Sequence, residues 1–250
     1  MKKLGKFKYV FTVGLFVLLV LAYVFMSTRE SSNAYLFPPG DQIINAFMQD
    51  KDIFLANMLS SFQLLAPSLV IAIVLSLAIG IPLGLNETAR DIFYPFLYVI
   101  SVVPAILLSP FALMIAPSFR SASLFLIVYG CMFPTVFATI TGIQTIDKRY
   151  LDRAKTLELK GFEKITKVIL PAASPSIFAG LVTTMRGSFL MLVYAEMYGA
   201  KYGMGFYVQK YATYGMYQNT WSGFIFMVLV LVVVMQIFEM IKKRALKWTI

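Results

Sequence analysis

The thirty residues 56–85 contain no Asp, Glu, Lys or Arg. About 20 apolar helical residues span the roughly 30 Å hydrocarbon core of a bilayer. A run of this length is therefore read as a membrane-crossing helix before any soluble fold is considered. Residues 9–26, 92–119 and 121–146 are likewise uncharged, and 172–197 is interrupted only by Arg186 and Glu196. The last apolar run lies within 221–238. The pattern predicts an all-α polytopic membrane protein with about six transmembrane helices. Composition agrees: 59% of residues are hydrophobic and 14% charged, with a mean hydropathy of +0.77. Such a chain cannot cover itself with a polar surface. Runs two to four exceed the minimum, so they are expected to tilt or to extend into polar regions.

The first run follows Lys2, Lys3, Lys6 and Lys8. It is long for the apolar part of a leader and no Ala-x-Ala follows it, so a retained helix is expected. The sequence divides into 1–35, an N-terminal tail with its helix, and a core over 36–250.

With six spans both termini share a side. That side collects the four N-terminal lysines, Arg90, a cluster running from Lys148 to Lys167, and Lys242, Lys243, Arg244 and Lys247: sixteen of the 22 basic residues. Arg29, Lys51, Arg120, Lys201 and Lys210 fall on the other side, and Arg186 lies within a span. Basic residues favour the cytoplasm, so both termini are expected there. The net charge of +10 is then topology charge, and no nucleic-acid partner is needed.

Several chemistries are excluded. The chain has no histidine and one cysteine, Cys131. That leaves no His/Cys zinc site and no Ser-His-Asp or Cys-His arrangement. Cys131 sits in an apolar run and is expected to pack. No Gly-x4-Gly-Lys-Ser/Thr loop occurs, so the chain lacks a phosphate cradle of this kind. Pro67, Pro82, Pro104, Pro110 and Pro134 fall within spans. Pro104 and Pro110 together suggest either a kinked helix lining a path or a packing irregularity. Gly80 and Gly84 permit close helix approach.

The most informative polar stretch is residues 147–170, between the fourth and fifth runs. Leu151, Ala154, Leu157, Ile165 and Val168 recur at helical spacing, with charges between them. This predicts a short amphipathic helix, a turn near Gly161, and a second short helix stopped before Pro171. An interfacial helix on anionic lipid is one reading. A docking helix for a soluble partner better accommodates its mixture of acids and bases.

The stretch resembles the signature of bacterial ABC-importer permeases: Glu-Ala-Ala, three residues, Gly, then Ile-x-Leu-Pro after a fixed gap. Counted back from Leu170-Pro171, Glu-Ala-Ala falls on Asp152-Arg153-Ala154 and the glycine on Glu158. Asp152 keeps the acid, Arg153 replaces a small residue, and Glu158 replaces the turn glycine, whose task could pass to Gly161. The resemblance is to the nitrate/sulfonate/taurine-type permeases in particular. It is carried by Leu36-Phe-Pro-Pro39, Ile79-Gly-Ile-Pro-Leu-Gly-Leu85, Val103-Pro104, Phe133-Pro134, Ala195-Glu196-Met197, Gly203-Met-Gly205 and the near-terminal Trp248. It implies a type I importer permease fold in a bacterial plasma membrane. It also implies an ABC ATPase carrying ATP-Mg, an external substrate-binding protein, surrounding lipid and a second permease copy, by default the same chain. No cofactor is expected on this chain, which is not itself an enzyme. Asp152, Arg153, Ala154, Leu157, Glu158, Gly161 and Pro171 are the implied ATPase-coupling residues.

Charges inside a membrane cost about 2.5–3.5 kcal/mol on insertion scales and usually face a cavity or a partner. Arg186 lies near mid-span and Glu196 near the outer boundary. They stand on different faces of one helix. With Tyr194, Met197 and Pro104 they are the candidate pathway residues. Glu196 could equally be a structural acid or a gate. An anionic solute would suit Arg186, while an aromatic vitamin or vitamin precursor would suit Tyr194, Phe189, Met191 and Met197. A stand-alone secondary transporter would need more ion-coupling groups than Arg186 and Glu196. The absence of histidine and the scarcity of buried acids disfavour a membrane enzyme.

Overall fold

The computed structural model describes residues 3–28 and 36–247. Lys2, Arg29 and Trp248 lie outside them. The regular elements are α1 (Lys3–Thr28), α2 (Gly40–Gln49), α3 (Lys51–Leu85), α4 (Glu87–Val102), a 3-10 turn (Ala105–Leu108), α5 (Ser109–Ile115) and α6 (Phe119–Gln144). They continue with α7 (Lys148–Thr156), α8 (Gly161–Lys164), a π turn (Ile165–Ile169), α9 (Leu170–Gly199), α10 (Met204–Thr213) and α11 (Tyr217–Ala245).

Among the described residues four helices are long and apolar enough to cross a bilayer: α3, α6, α11 and the continuous Gly161–Gly199. Together α4 and Ala105–Ile115, which meet at 80°, have the length and apolarity of a fifth. The apolar stretch Val13–Thr28 of α1 is shorter and stands where the first span is expected. The run 92–119 is thus not one helix. Val103, preceding a proline, is extended with φ −71° and ψ 116°. The clash of the proline ring with the preceding residue disfavours helix there. Pro110 does not contribute to the break, because it lies in the first turn of α5, where its missing N–H has no intrahelical partner to lose.

The bundle is built around α6. Half of its most apolar window is buried, against 6% of that of α11. Lipid offers no hydrophobic drive to pair helices, so close contact between small residues must supply the packing. On α3 a stripe of Ser61, Ser68, Ala72, Ser76, Gly80 and Gly84 is buried. A Cβ on Gly80 would stand 2.7 Å from Thr139 Cβ of α6, and one on Gly180 of α9 would stand 2.6 Å from Ala138 Cβ. The two neighbours therefore press backbone to backbone against α6 from different sides. Hydroxyls join the same contacts. Ser76 donates to the Met132 carbonyl at 2.9 Å. Thr184 donates to the Cys131 carbonyl at 2.7 Å, and Ser176 to Ala138 at 2.8 Å. Cys131 is fully buried as a packing residue.

By contrast α4 buries none of its residues. It is anchored at its start, where Arg90 pairs with Glu87 and Asp91. With its carbonyl turned to the guanidinium, Gln144 of α6 accepts from Arg90 Nε and Nη1 at 2.8 and 2.9 Å. Up-and-down connectivity places this corner, α7, α8 and the end of α11 at one end of the bundle. Residues 36–50, α5, α10 and the start of α11 gather at the other. There Tyr23 donates to the Pro38 carbonyl at 2.6 Å and Trp221 to the Leu36 carbonyl at 2.7 Å, tying α1 and α11 to the 36–39 segment.

Candidate functional site

The loop between α6 and α9 is folded throughout. Asp147 caps α7: its carboxylate accepts from the Arg149 backbone N–H at 2.9 Å. It also accepts from the Arg149 guanidinium through Nε at 3.0 Å and Nη2 at 2.6 Å. The Arg149 side-chain bond, with the backbone bond behind it, holds the Asp147 carboxyl below its ordinary range. Ala154 is the anchor of α7 at 1% exposure, with Leu151 half-buried beside it. The opposite face of α7 is polar, and Arg149, Tyr150, Asp152, Arg153 and Thr156 line an open cleft of about 480 Å³.

The turn closing α7 falls on Glu158. Leu159 N–H bonds the Ala154 carbonyl at 3.0 Å and Glu158 N–H bonds that of Lys155 at 2.9 Å. These two bonds make a Schellman motif, which requires a left-handed residue at its penultimate position. Glu158 supplies it with φ +54°. The side chain there costs about 1–2 kcal/mol that a glycine would avoid. The handover of this turn to Gly161 does not occur. Gly161 is also left-handed, at φ +53°, but it opens α8. Nor does the second short helix stop before Pro171. It continues into α9 through the π turn, where Leu170 N–H reaches the Ile165 carbonyl. Pro171 lacks an N–H, and its ring would crowd the carbonyl four residues back in a regular helix; the widened turn accommodates both. Segment 161–199 is consequently one rod rooted in the loop. Leu157 and Phe162 flank the turn at 69% and 79% exposure, so Leu157 does not join the buried face expected of it.

The candidate pathway residues are not brought to one place. Glu196 is 2% exposed. It accepts from the Gly205 N–H at 2.8 Å. Asn57 accepts from the Gly203 N–H at 2.9 Å, and Ser61 from the Met204 N–H at 2.9 Å. Three successive N–H groups at the start of α10 are thus held by side chains from α3 and α9. The positive end of that helix dipole suits a carboxylate. This geometry makes Glu196 a cap. Gly203 has φ +134°, and a Cβ there would lie 2.3 Å from Glu196 Cδ. Asp50 closes the same end, accepting from Tyr207 at 2.5 Å and Asn219 at 3.0 Å. Neither Asn57 nor Ser61 was singled out by sequence. Their spacing of four on one apolar helix, facing a Gly-Met-Gly turn, is the signal that could have found them.

Tyr194 lies half-buried with its hydroxyl 3.5 Å from Ser109 Oγ, at the turn that follows Pro104. Arg186, Leu190 and Met197 form an exposed stripe on α9. Among the described residues the Arg186 guanidinium has no hydrogen-bond or ion-pair partner.

Residues 72–247 match the model of the binding-protein-dependent transport system inner membrane component. The chain belongs to that family. The match takes in the loop and all candidate pathway residues. Among the relatives of this chain, a putative aliphatic sulfonates transport permease protein of Bacillus subtilis is 28% identical over 70% of this chain and 63% of its own length. A nitrate import permease of Leptolyngbya laminosa is 30% identical over 67% and 61%. A bicarbonate transport system permease of Synechococcus elongatus is 28% identical over 64% and 57%. The matched region spans about three fifths of those relatives. A chain in inward-facing structures of the MetNI methionine ABC transporter superposes with a TM-score of 0.58 at 15% identity, covering 74% of this chain and 94% of that one. The fold is that of a type I importer permease, all-helical as expected.

Proposed function

We propose that this chain is the membrane-spanning subunit of an ATP-driven importer, forming the solute path and receiving force at residues 147–170. The observation that carries this reading is mechanical. A folded, exposed two-helix segment is capped at Asp147 and turned at Glu158, and its second helix continues without a break into α9. A partner that moves the loop therefore moves α9, a helix packed along α6 at the centre of the bundle. Asp152, Arg153, Glu158 and the exposed Leu157 form the partner-facing surface, while Ala154 and Pro171 join it to the bundle. ATP-Mg and its hydrolysis belong to the docked ATPase. An external binding protein delivers the solute, and a second copy of this chain completes the path.

The excess of basic residues at the loop end supports a cytoplasmic loop and cytoplasmic termini, and the family description supports an inner membrane. Residues 1–35 are an addition to the core over 36–250. The relatives' names favour a small anion as solute.

The test uses Asp152→Lys, which reverses charge on the docking face, and Gly161→Pro, which cannot adopt φ +53°. Both variants are expected to insert normally and to lose solute-stimulated ATPase activity by about tenfold, the scale of an allosteric coupling energy. Normal stimulation in both would overturn the coupling role.

A further inference from the structure

Arg186 is set where a lipid-facing arginine does not belong. It lies about 24 Å from the first residue of α9 and about 20 Å from the last, at 1.5 Å per residue. Neither helix end is within reach of its side chain by snorkelling. It is exposed on the surface of the protomer and has no polar partner among the described residues. An unpaired cation at mid-membrane must face water, a ligand or another chain. Its surroundings are specific. Arg186 stands in a groove of about 360 Å³ between α9 and α11, lined otherwise by Phe189, Leu190, Val193, Leu231 and Met235. One fixed positive charge thus sits among five apolar side chains. Apolar walls beside the guanidinium lower the local dielectric and strengthen a charge-assisted hydrogen bond to a bound acid group, and they offer an inorganic oxyanion nothing but desolvation.

We infer that this groove is a solute site for an organic anion carrying an apolar body, its acid group on the Arg186 guanidinium and its body along Leu190, Val193, Leu231 and Met235. The inference rests on the permease reading and narrows its solute class. A small inorganic anion would use only the guanidinium. An alkyl or aryl sulfonate or carboxylate would use both parts of the groove. The groove's size accommodates a body of several carbons, within the usual range of small-molecule sites.

The experiment takes the full chain in nanodiscs and titrates methanesulfonate, butanesulfonate, hexanesulfonate and nitrate by calorimetry. Affinity is expected to rise with chain length by up to about fourfold per methylene. Arg186→Gln is expected to weaken hexanesulfonate by about tenfold or more, with Arg186→Lys recovering most of the loss. Equal affinity along the series, tighter binding of nitrate, or an unchanged Arg186→Gln would overturn the site. So would a wild type that binds none of these probes. Size-exclusion of the same samples covers the rival occupant: if Arg186→Gln dissociates a dimer while Arg186→Lys preserves it, the guanidinium serves an acid on a second copy, and the solute site is wrong. Co-purification of an ATPase with the wild type is scored separately. Its absence sinks the permease reading, whereas its presence with unaltered binding in Arg186→Gln sinks only this inference.

Discussion

Polar groups are used in opposite ways at the two ends of the bundle. At the α10 end, Asn57, Ser61 and Glu196 are 5%, 0% and 2% exposed, and each accepts from one backbone N–H of residues 203–205. At the loop end the acids of the ion pairs stay in solvent: the side chains of Asp147, Asp152 and Glu163 are 42%, 67% and 52% exposed. Exposed pairs such as Asp152–Lys155 and Glu163–Lys167 contribute little stability. Buried acceptors that satisfy a helix terminus are costly to lose, because their donors are then orphaned. One end is therefore locked by its own chain, and the other keeps its charges free for a partner while relying on backbone geometry for its shape.

The contrast breaks first at Gly203. Gly203→Ala puts a methyl against Glu196 at a φ of +134°, and is expected to destabilise the protein by about 2–4 kcal/mol. Thermal melting in detergent measures this. A loss under about 1 kcal/mol would mean that the end is less rigidly locked than its burial implies. The change at the other end has the opposite sign. Glu158→Gly relieves a left-handed residue and is expected to protect the α7 segment from hydrogen exchange by about 0.5–1 kcal/mol. Increased exchange there would show that the Glu158 side chain contributes to the turn.

The smallest effect is electrostatic. The carboxyl of Asp147 is held below its ordinary value of 3.8 by Arg149. Its contribution to capping α7 is complete above that value and is lost as pH falls through the lower, folded one. Proteolytic nicking of the 147–160 loop should therefore rise only below about pH 3.8. Asp147→Asn should remove that dependence. A transition centred well above pH 3.8 would assign the loop's pH response to another group.

Much of this was legible in the chain itself. The spans follow from uncharged runs, because a bilayer core imposes length and apolarity directly on consecutive residues. The loop's two short helices follow from spacing, and the family from the order of short motifs along the chain. Which prolines break a helix, and where the loop turns, were not legible. The third run bends by 80° at Val103–Pro104, although prolines of the same kind at Pro67, Pro82 and Pro134 sit inside unbroken helices. Only the neighbours can decide whether a freed carbonyl is accommodated. The turn lies at Glu158 although a glycine stands three residues on. Two backbone bonds to α7 outweigh the local preference.

Glu196 and Arg186 show the remaining division most clearly. Sequence alone determined that both are charges in an apolar helix, each needing something to justify it. Tertiary structure alone decided what that is. Glu196 meets a helix start brought to it by α10 and supported by α3, from residues as distant as Asn57. Arg186 meets only an apolar groove beside α11. The physical reason is that a charge's stability depends on which dipoles and counter-charges surround it, and those come from segments far away in sequence.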